Sequence, residues 1–158
     1  IGPGLAFPYF DGRGRLALTR IKPDQPPISK KGNKAKYLTA QNAGNRLYMH
    51  RTLPPGWHED IDLDLIITEG EKKALKATQD GFPCIAVAGV WNFSTKNAKG
   101  QSIALADFDD IAWSERTVYI AYDSDLAVKP EVLKAEQRLA ETLSKRGRVL
   151  GALGRPVV

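Results

Sequence analysis

Two stretches of this chain follow one plan, and that plan restricts the fold more than any other feature. Asp64-Leu65-Ile66-Ile67-Thr68-Glu69-Gly70-Glu71 is an apolar run that ends in two carboxylates around a glycine and enters a lysine-rich helical segment. Thr117-Val118-Tyr119-Ile120-Ala121-Tyr122-Asp123-Ser124-Asp125 is a second apolar run, ending in Asp-x-Asp and followed again by a helical pattern. Strand, helix, strand from residue 62 onward implies parallel pairing with right-handed crossovers. Ligands of open α/β sheets bind beyond the carboxyl ends of the strands, so acids at two such ends would converge on one crevice. The expected fold class is therefore α/β, with a parallel-sheet core.

The rest of the back half fills in that plan. Ala74, Leu75, Ala77 and Thr78 share one side of a helix over residues 71–80, Lys72, Lys73, Lys76 and Gln79 share the other, and Gly81 stops it. Residues 83–90 read as a buried strand, with Cys84 as core filling. Val132, Leu133, Ala135, Leu139, Ala140 and Leu143 follow helical spacing over 132–146, punctuated by Pro130 and Gly147, and residues 148–153 read as one more strand. Between these elements, 94–102 reads as a polar loop and 103–106 as either a short helix or a strand. Trp91-Asn92-Phe93 would either stack a base or cover the core. Asp107, Asp109 and Asp110 are expected on the surface.

The front half is β-rich and basic. Residues 5–10 and 15–21 read as a hairpin around Asp11-Gly12-Arg13-Gly14, with Pro8 favouring an edge position because proline cannot donate to the ladder. Residues 23–33 are loop chemistry, 36–39 and 46–49 are short strand candidates, and Pro54-Pro55-Gly56 marks a boundary. Two domains are expected, 1–58 and 59–158. The first holds ten Lys or Arg against Asp11 and Asp24, a net +8, and the second thirteen against sixteen acids, a net −3. A basic half joined to an acid-bearing half suits a polyanion that lies on one part and reacts at the other; a solvated basic surface is the alternative.

Several classes are excluded. No apolar run approaches the roughly 18 residues that span a bilayer, so no membrane partner is expected. The start Ile1-Gly2-Pro3-Gly4 has neither a basic region nor a long apolar region of a secretory signal, which points to a cytoplasmic protein and to a fragment of a longer one. One cysteine rules out a disulfide framework and a cysteine-based zinc site, and His50 and His58 are too isolated for another.

The strand-end acids suggest their own chemistry. Residues i and i+2 of an extended strand point the same way about 7 Å apart, so Asp123 and Asp125 can reach one or two metal ions together. Hard carboxylate oxygens suit Mg²⁺ or Mn²⁺, completed by substrate phosphates. The same residues also make Asx turns and helix N-caps. Glu69 and Glu71 have a structural alternative too, as negative charge at a helix N-terminus.

Taken together, residues 66–70, the intervening βα segment and residues 119–125 resemble the Toprim domain of bacterial-type primases, topoisomerases, ribosomal-RNA maturases and related nucleases, over about residues 62–153. The set Glu69-Gly70-Glu71-Lys72-Lys73, Gly89-Val90-Trp91-Asn92, Asp123-Ser124-Asp125 and Lys129-Pro130-Glu131-Val132 is similar to a Toprim-like domain of uncharacterised function in plasmid, phage and integrative-element replication proteins. Phe7-Pro8, residues 11–15, Arg20 and Lys36-Tyr37-Leu38 resemble the basic subdomain that precedes Toprim in bacterial primases. The resemblance implies an enzyme: a Mg²⁺- or Mn²⁺-dependent nucleotidyltransferase, primase-like, acting in DNA replication of a mobile genetic element. A nuclease and a degenerate Toprim that only binds nucleic acid are the alternatives. Glu69 would be general acid or base or a metal ligand, and Asp123 and Asp125 the metal ligands. Arg20, Lys22 and Lys36, with Arg13, Arg15 and Lys72, would hold the phosphates of nucleotides and of a single-stranded DNA or RNA template. The chain departs from primases at Leu126-Ala127-Val128, where they carry a small residue and a glycine. It also lacks a zinc module and a P-loop, which implies that a helicase domain or protein supplies unwinding.

Overall fold

Along a strand successive side chains face opposite ways, so a run as apolar as the one at Leu65 is stable only with both faces covered. The computed structural model, which describes residues 2–28, 32–122 and 129–150, uses it that way. Strand β3 (Leu65–Glu69) lies inside a four-stranded parallel sheet of order β4-β3-β7-β8, formed with β4 (Cys84–Val87), β7 (Thr117–Ala121) and β8 (Arg148–Leu150). Ile67 stands opposite Ile85 on one side and Ile120 on the other. Helix α1 (Glu71–Gln79) joins β3 to β4, and helix α2 (Pro130–Ser144) joins β7 to β8.

These two crossovers run in opposite directions across the sheet, and right-handed crossovers in opposite directions place their helices on opposite faces. The packing agrees. Ala135, Leu139, Ala140 and Leu143 of α2 are buried with Leu65, Ile67, Ile85, Val118 and Ile120 on one face. Ala74 of α1 is buried with Cys84 and Ala86 on the other. The winding therefore reverses between β3 and β7. Pro130 opens α2 two residues earlier than the spacing predicts, and the helix closes at Ser144. Gly147 is required by close approach: a Cβ there would lie 2.0 Å from the Trp113 carbonyl oxygen. The proposed strand 148–153 is described as far as Leu150, and its last three positions lie outside the described residues.

In the front half, β1 (Gly4–Phe10) and β2 (Leu16–Pro23) form the expected antiparallel hairpin, with Pro8 opposite Thr19. Phe7 and Tyr9 are buried against Tyr48 and the α1 face of the sheet, Tyr9 and Tyr48 meeting edge-on at 4.8 Å. Burying each such side chain contributes roughly 1.5–3 kcal/mol. The core passes straight through position 58, because Leu47, Met49, Leu53 and Trp57 pack with β3, β4 and β7.

The two short strand candidates are each reduced to a single bridge, Ile21 with Leu38 and Tyr48 with Ala86. The reason for the second lies in its backbone partners. Tyr48 exchanges both bonds with Ala86, but the Leu47 N–H donates to the Asp107 carboxylate and the Met49 carbonyl accepts from Phe10. This segment is a stitch between three elements. The loop expected at 94–102 is instead a hairpin of β5 (Ser94–Lys96) and β6 (Ser102–Ala104), so 103–104 is strand. Asn97 closes it by accepting the N–H groups of Lys99 and Gln101. The turn chemistry was present in the sequence, but three-residue polar strands carry no readable period.

Asp107 corrects the expectation of a surface acid. It is buried in a 3₁₀ turn (Ala106–Asp110), paired with Arg46 and bonded to the Leu47 N–H at 2.7 Å. Asp109 and Asp110 are exposed as expected. Cys84 is fully buried, and burial pushes its thiol up to about 12.

Candidate active site at the carboxyl edge of the sheet

The site is built where the winding of the sheet reverses. β3 ends at Glu69 and turns into α1 through Gly70, whose φ of +93° a residue with a side chain would adopt only under strain. Its N–H donates to the Val87 carbonyl at 2.9 Å, fixing the turn against the end of β4. On the other side Thr68 pairs with Ala121, and its hydroxyl donates to the Ala121 carbonyl at 2.7 Å. Glu69, half-buried, therefore stands beside Tyr122 at the β3/β7 switch point, the place where open α/β sheets bind ligands.

Tyr122 is buried and donates to the Val90 carbonyl at 3.3 Å. Burial first, then the negative charges of Glu69 and Glu136, push its phenol well above the ordinary range. The charges of two carboxylates thus act on one phenol, Glu69 from β3 and Glu136 from α2. Glu136 was missed in the sequence, although its place four residues after Val132 in the apolar stripe marks a carboxylate on the buried face of the helix. Asp123 and Asp125, the expected metal ligands that follow Tyr122 in sequence, lie outside the described residues. Among the described residues no three or more His, Cys, Asp or Glu side chains gather as a metal site.

Glu71, two residues beyond Glu69, has a different fate. It sits in the first turn of α1, as helix electrostatics favours, but its carboxylate is buried and committed to the hairpin. The Tyr9 hydroxyl donates to Glu71 Oε1 at 2.7 Å, and Arg20 Nη1 donates to the same oxygen at 2.9 Å. Burial and then the bond to Glu71 raise the Tyr9 phenol far above its usual value. The Arg20 guanidinium lies over the Tyr37 ring, 4.3 Å from its centroid.

The structure divides the basic residues into groups. Arg20, Lys22 and Lys36 gather around Tyr37: the Lys22 ammonium is 6.0 Å from the ring centroid, and Lys36 is exposed at the adjacent position. Arg13 and Arg15 are instead at the hairpin turn. Arg15 is paired there with Asp11 at 2.8 Å, and Arg13 lines a cavity of about 420 Å³ with His58, Asp109 and Asp110. Lys72 is exposed at the start of α1, beside an apolar groove of about 530 Å³ between that helix and β1. Arg46 was not singled out in the sequence. It is held by Asp107, with Nε 2.9 Å from Oδ2, and lines with Arg20, Asn45 and Asn92 a small cavity of about 70 Å³.

The family model described as "Domain of unknown function (DUF3854)" matches residues 57–152, more than half of the chain. The chain belongs to this family. The DUF3854 region takes in both helices, the whole sheet, Glu69 and Glu136, and leaves out the hairpin with Arg20 and Lys22. A search among curated proteins finds no match. Solved structures give a likeness of fold. The Aquifex aeolicus primase, comprising zinc-binding and RNA polymerase domains, superposes with a TM-score of 0.59 at 17% identity over 98% of this chain and 35% of that one. The catalytic domain of DnaG primase bound to ssDNA gives 0.53 at 19% identity, over 94% and 44%. A DNA primase domain from Pseudomonas aeruginosa gives 0.53 at 21% identity, over 92% and 41%. The likeness extends through the hairpin, and the DUF3854 chain spans less than half the length of each of these structures.

Proposed function

We propose that this chain is the Toprim-type catalytic domain of a mobile-element replication protein and performs primase-like nucleotidyl transfer on a single-stranded template beside a helicase. The observation that carries the reading is the position of Glu69, at the switch point of a sheet whose fold is shared with primases, one strand away from the segment leading to Asp123 and Asp125. The basic group around Tyr37 supports it, as does the likeness to a primase domain bound to ssDNA.

The donor set suits Mg²⁺ or Mn²⁺, since Glu69 offers hard carboxylate oxygen at a half-open edge and the two aspartates would complete it. A bound ion would neutralise charge at the reacting phosphorus centre. The chain's own groups have separate tasks. Glu69 moves a proton at the attacking hydroxyl or holds the metal. Lys22 and Lys36 hold backbone phosphates. Arg20, fixed by Glu71 and Tyr37, presents its charge in one orientation.

The test is incubation of the protein with single-stranded template, nucleotides and Mn²⁺ or Mg²⁺, with products sized against input. Products that lengthen with added nucleotide are expected. Glu69→Gln should keep template binding and lose about 100- to 10,000-fold in rate. Shortened input without added nucleotide would replace this reading by cleavage. Binding with no product from the wild type would reduce the domain to a binding module.

A further inference from the structure

One aromatic residue at this edge is left out of the reading so far. Trp57 and Trp113 are buried at 8% and 5% exposure, whereas Trp91 is 48% exposed. It occupies a tight turn at the carboxyl end of β4, where the Asn92 N–H donates to the Gly89 carbonyl at 2.7 Å. The carbonyl of Val90, its neighbour, accepts from the hydroxyl of Tyr122, the residue that follows β7. On the other side Asn92 is 3.5 Å from Asn45 and shares a cavity with Arg20 and Arg46. Phe93 is buried and backs the Trp91 ring at 6.4 Å, the two planes 30° apart. Covering the core therefore falls to Phe93, and Trp91 is a half-exposed indole backed by that ring, in a turn whose Val90 meets Tyr122 and whose Asn92 lines the cavity with Arg20 and Arg46.

We propose that Trp91 is a stacking platform for one nucleobase of a single strand crossing the carboxyl edge of the sheet. The inference rests on the proposed template-directed function and names the contact that would seat the template. Every base offers a π-face, so such a platform binds without sequence preference, while cations at its side attract the backbone. Arg20 and Arg46 line the cavity beside Asn92, the residue after Trp91, so positive groups lie next to the turn that carries the ring.

Intrinsic fluorescence tests this directly, because Trp91 is the accessible indole of the three. Titration with a single-stranded oligothymidine should quench the emission. Trp91→Ala should abolish the quench and weaken binding by about 5- to 150-fold, the range for one stacked base, and Trp91→Phe should retain most of the affinity. The slope of log affinity against log salt should stay unchanged in both variants, since no phosphate contact is lost. Lys22→Ala and Lys36→Ala should instead lower that slope and keep the quench. Oligonucleotide binding that neither quenches emission nor responds to Trp91→Ala overturns the platform and leaves the proposed function standing. Absence of any oligonucleotide binding, even at low salt, overturns both. Quenching by a nucleoside triphosphate alone, with oligonucleotide affinity unaffected by Trp91→Ala, overturns the template assignment in favour of the incoming nucleotide.

Discussion

Each end of the sheet holds an arginine against the core, one partly and one fully buried, and the two are treated differently. At the carboxyl end Arg20 meets the buried Glu71 carboxylate, which also takes the Tyr9 hydroxyl, and stacks on Tyr37. At the amino end Arg116, first residue before β7, is fully buried. Its Nε donates to the Leu63 carbonyl at 2.9 Å, but Nη1 and Nη2 find no hydrogen-bond partner among the described residues. Burial lowers its pKa, opposed by the charges of Asp60 and Asp64. One arginine joins the hairpin to the strand-to-helix turn that carries Glu69; the other is desolvated with a single carbonyl bond and the Trp57 ring, 6.0 Å from its guanidinium carbon. Burial of a charge is therefore no measure of its use, and its partners are.

The sharpest way to break this contrast is at Glu71. Glu71→Ala leaves Arg20 and Tyr9 facing an apolar layer, and removing one partner of a buried pair costs about 3–5 kcal/mol. Urea unfolding should show that loss, and a loss below about 1 kcal/mol would mean that Arg20 relaxes into solvent. Arg116→Met should do the reverse, leaving stability within about 1 kcal/mol of wild type or raising it, since a buried charge with two unbonded nitrogens is removed and the stem is replaced by apolar volume. A large loss in thermal melting would show that Arg116 has a real partner and would erase the difference between the two ends.

A smaller effect extends the comparison to a group that stays neutral. His50 is buried between Thr52 and the Cys84 carbonyl, and burial lowers its pKa despite the bond to Cys84. The unfolded chain takes up the proton near pH 6.5, the folded chain only at lower pH. Stability from this residue is therefore complete above about pH 6.5 and falls as pH drops toward the folded value. The difference between wild type and His50→Gln in urea midpoint should shrink over that interval. A difference independent of pH would show that His50 titrates alike in both states.

Elements whose partners are dictated by their own pattern were legible in the sequence. β3, α1, β7 and α2 announce themselves through apolar period and punctuation, and they put Glu69 at a strand end; that this end adjoins β7, where the winding reverses, comes from the pairing. What escaped depends on partners far along the chain. Glu69 and Glu71 look equivalent in sequence, and only docking of Tyr9 and Arg20, 62 and 51 residues away, decides which is withdrawn into the interior. Asp107 looks like a surface acid until Arg46 and the Leu47 N–H, about 60 residues away, reach it. Residues 46–49 have strand composition, yet their backbone bonds are divided among β4, β1 and Asp107, which no local pattern records.

The single bridge at Tyr48 also bears on where this molecule can be cut. β4 is the outer strand of the sheet, four residues long and wholly apolar, and Tyr48 bonds to its free edge while Phe7 and Tyr9 roof the adjoining face. An uncovered apolar edge strand is a template for pairing with another chain. A protein trimmed to the DUF3854 boundary at residue 57 would keep both helices and every strand of the sheet, yet it would present that edge bare. The front half is thus a sticky-end protector for the back half, and the smallest unit with that edge covered is longer than the smallest recognisable one.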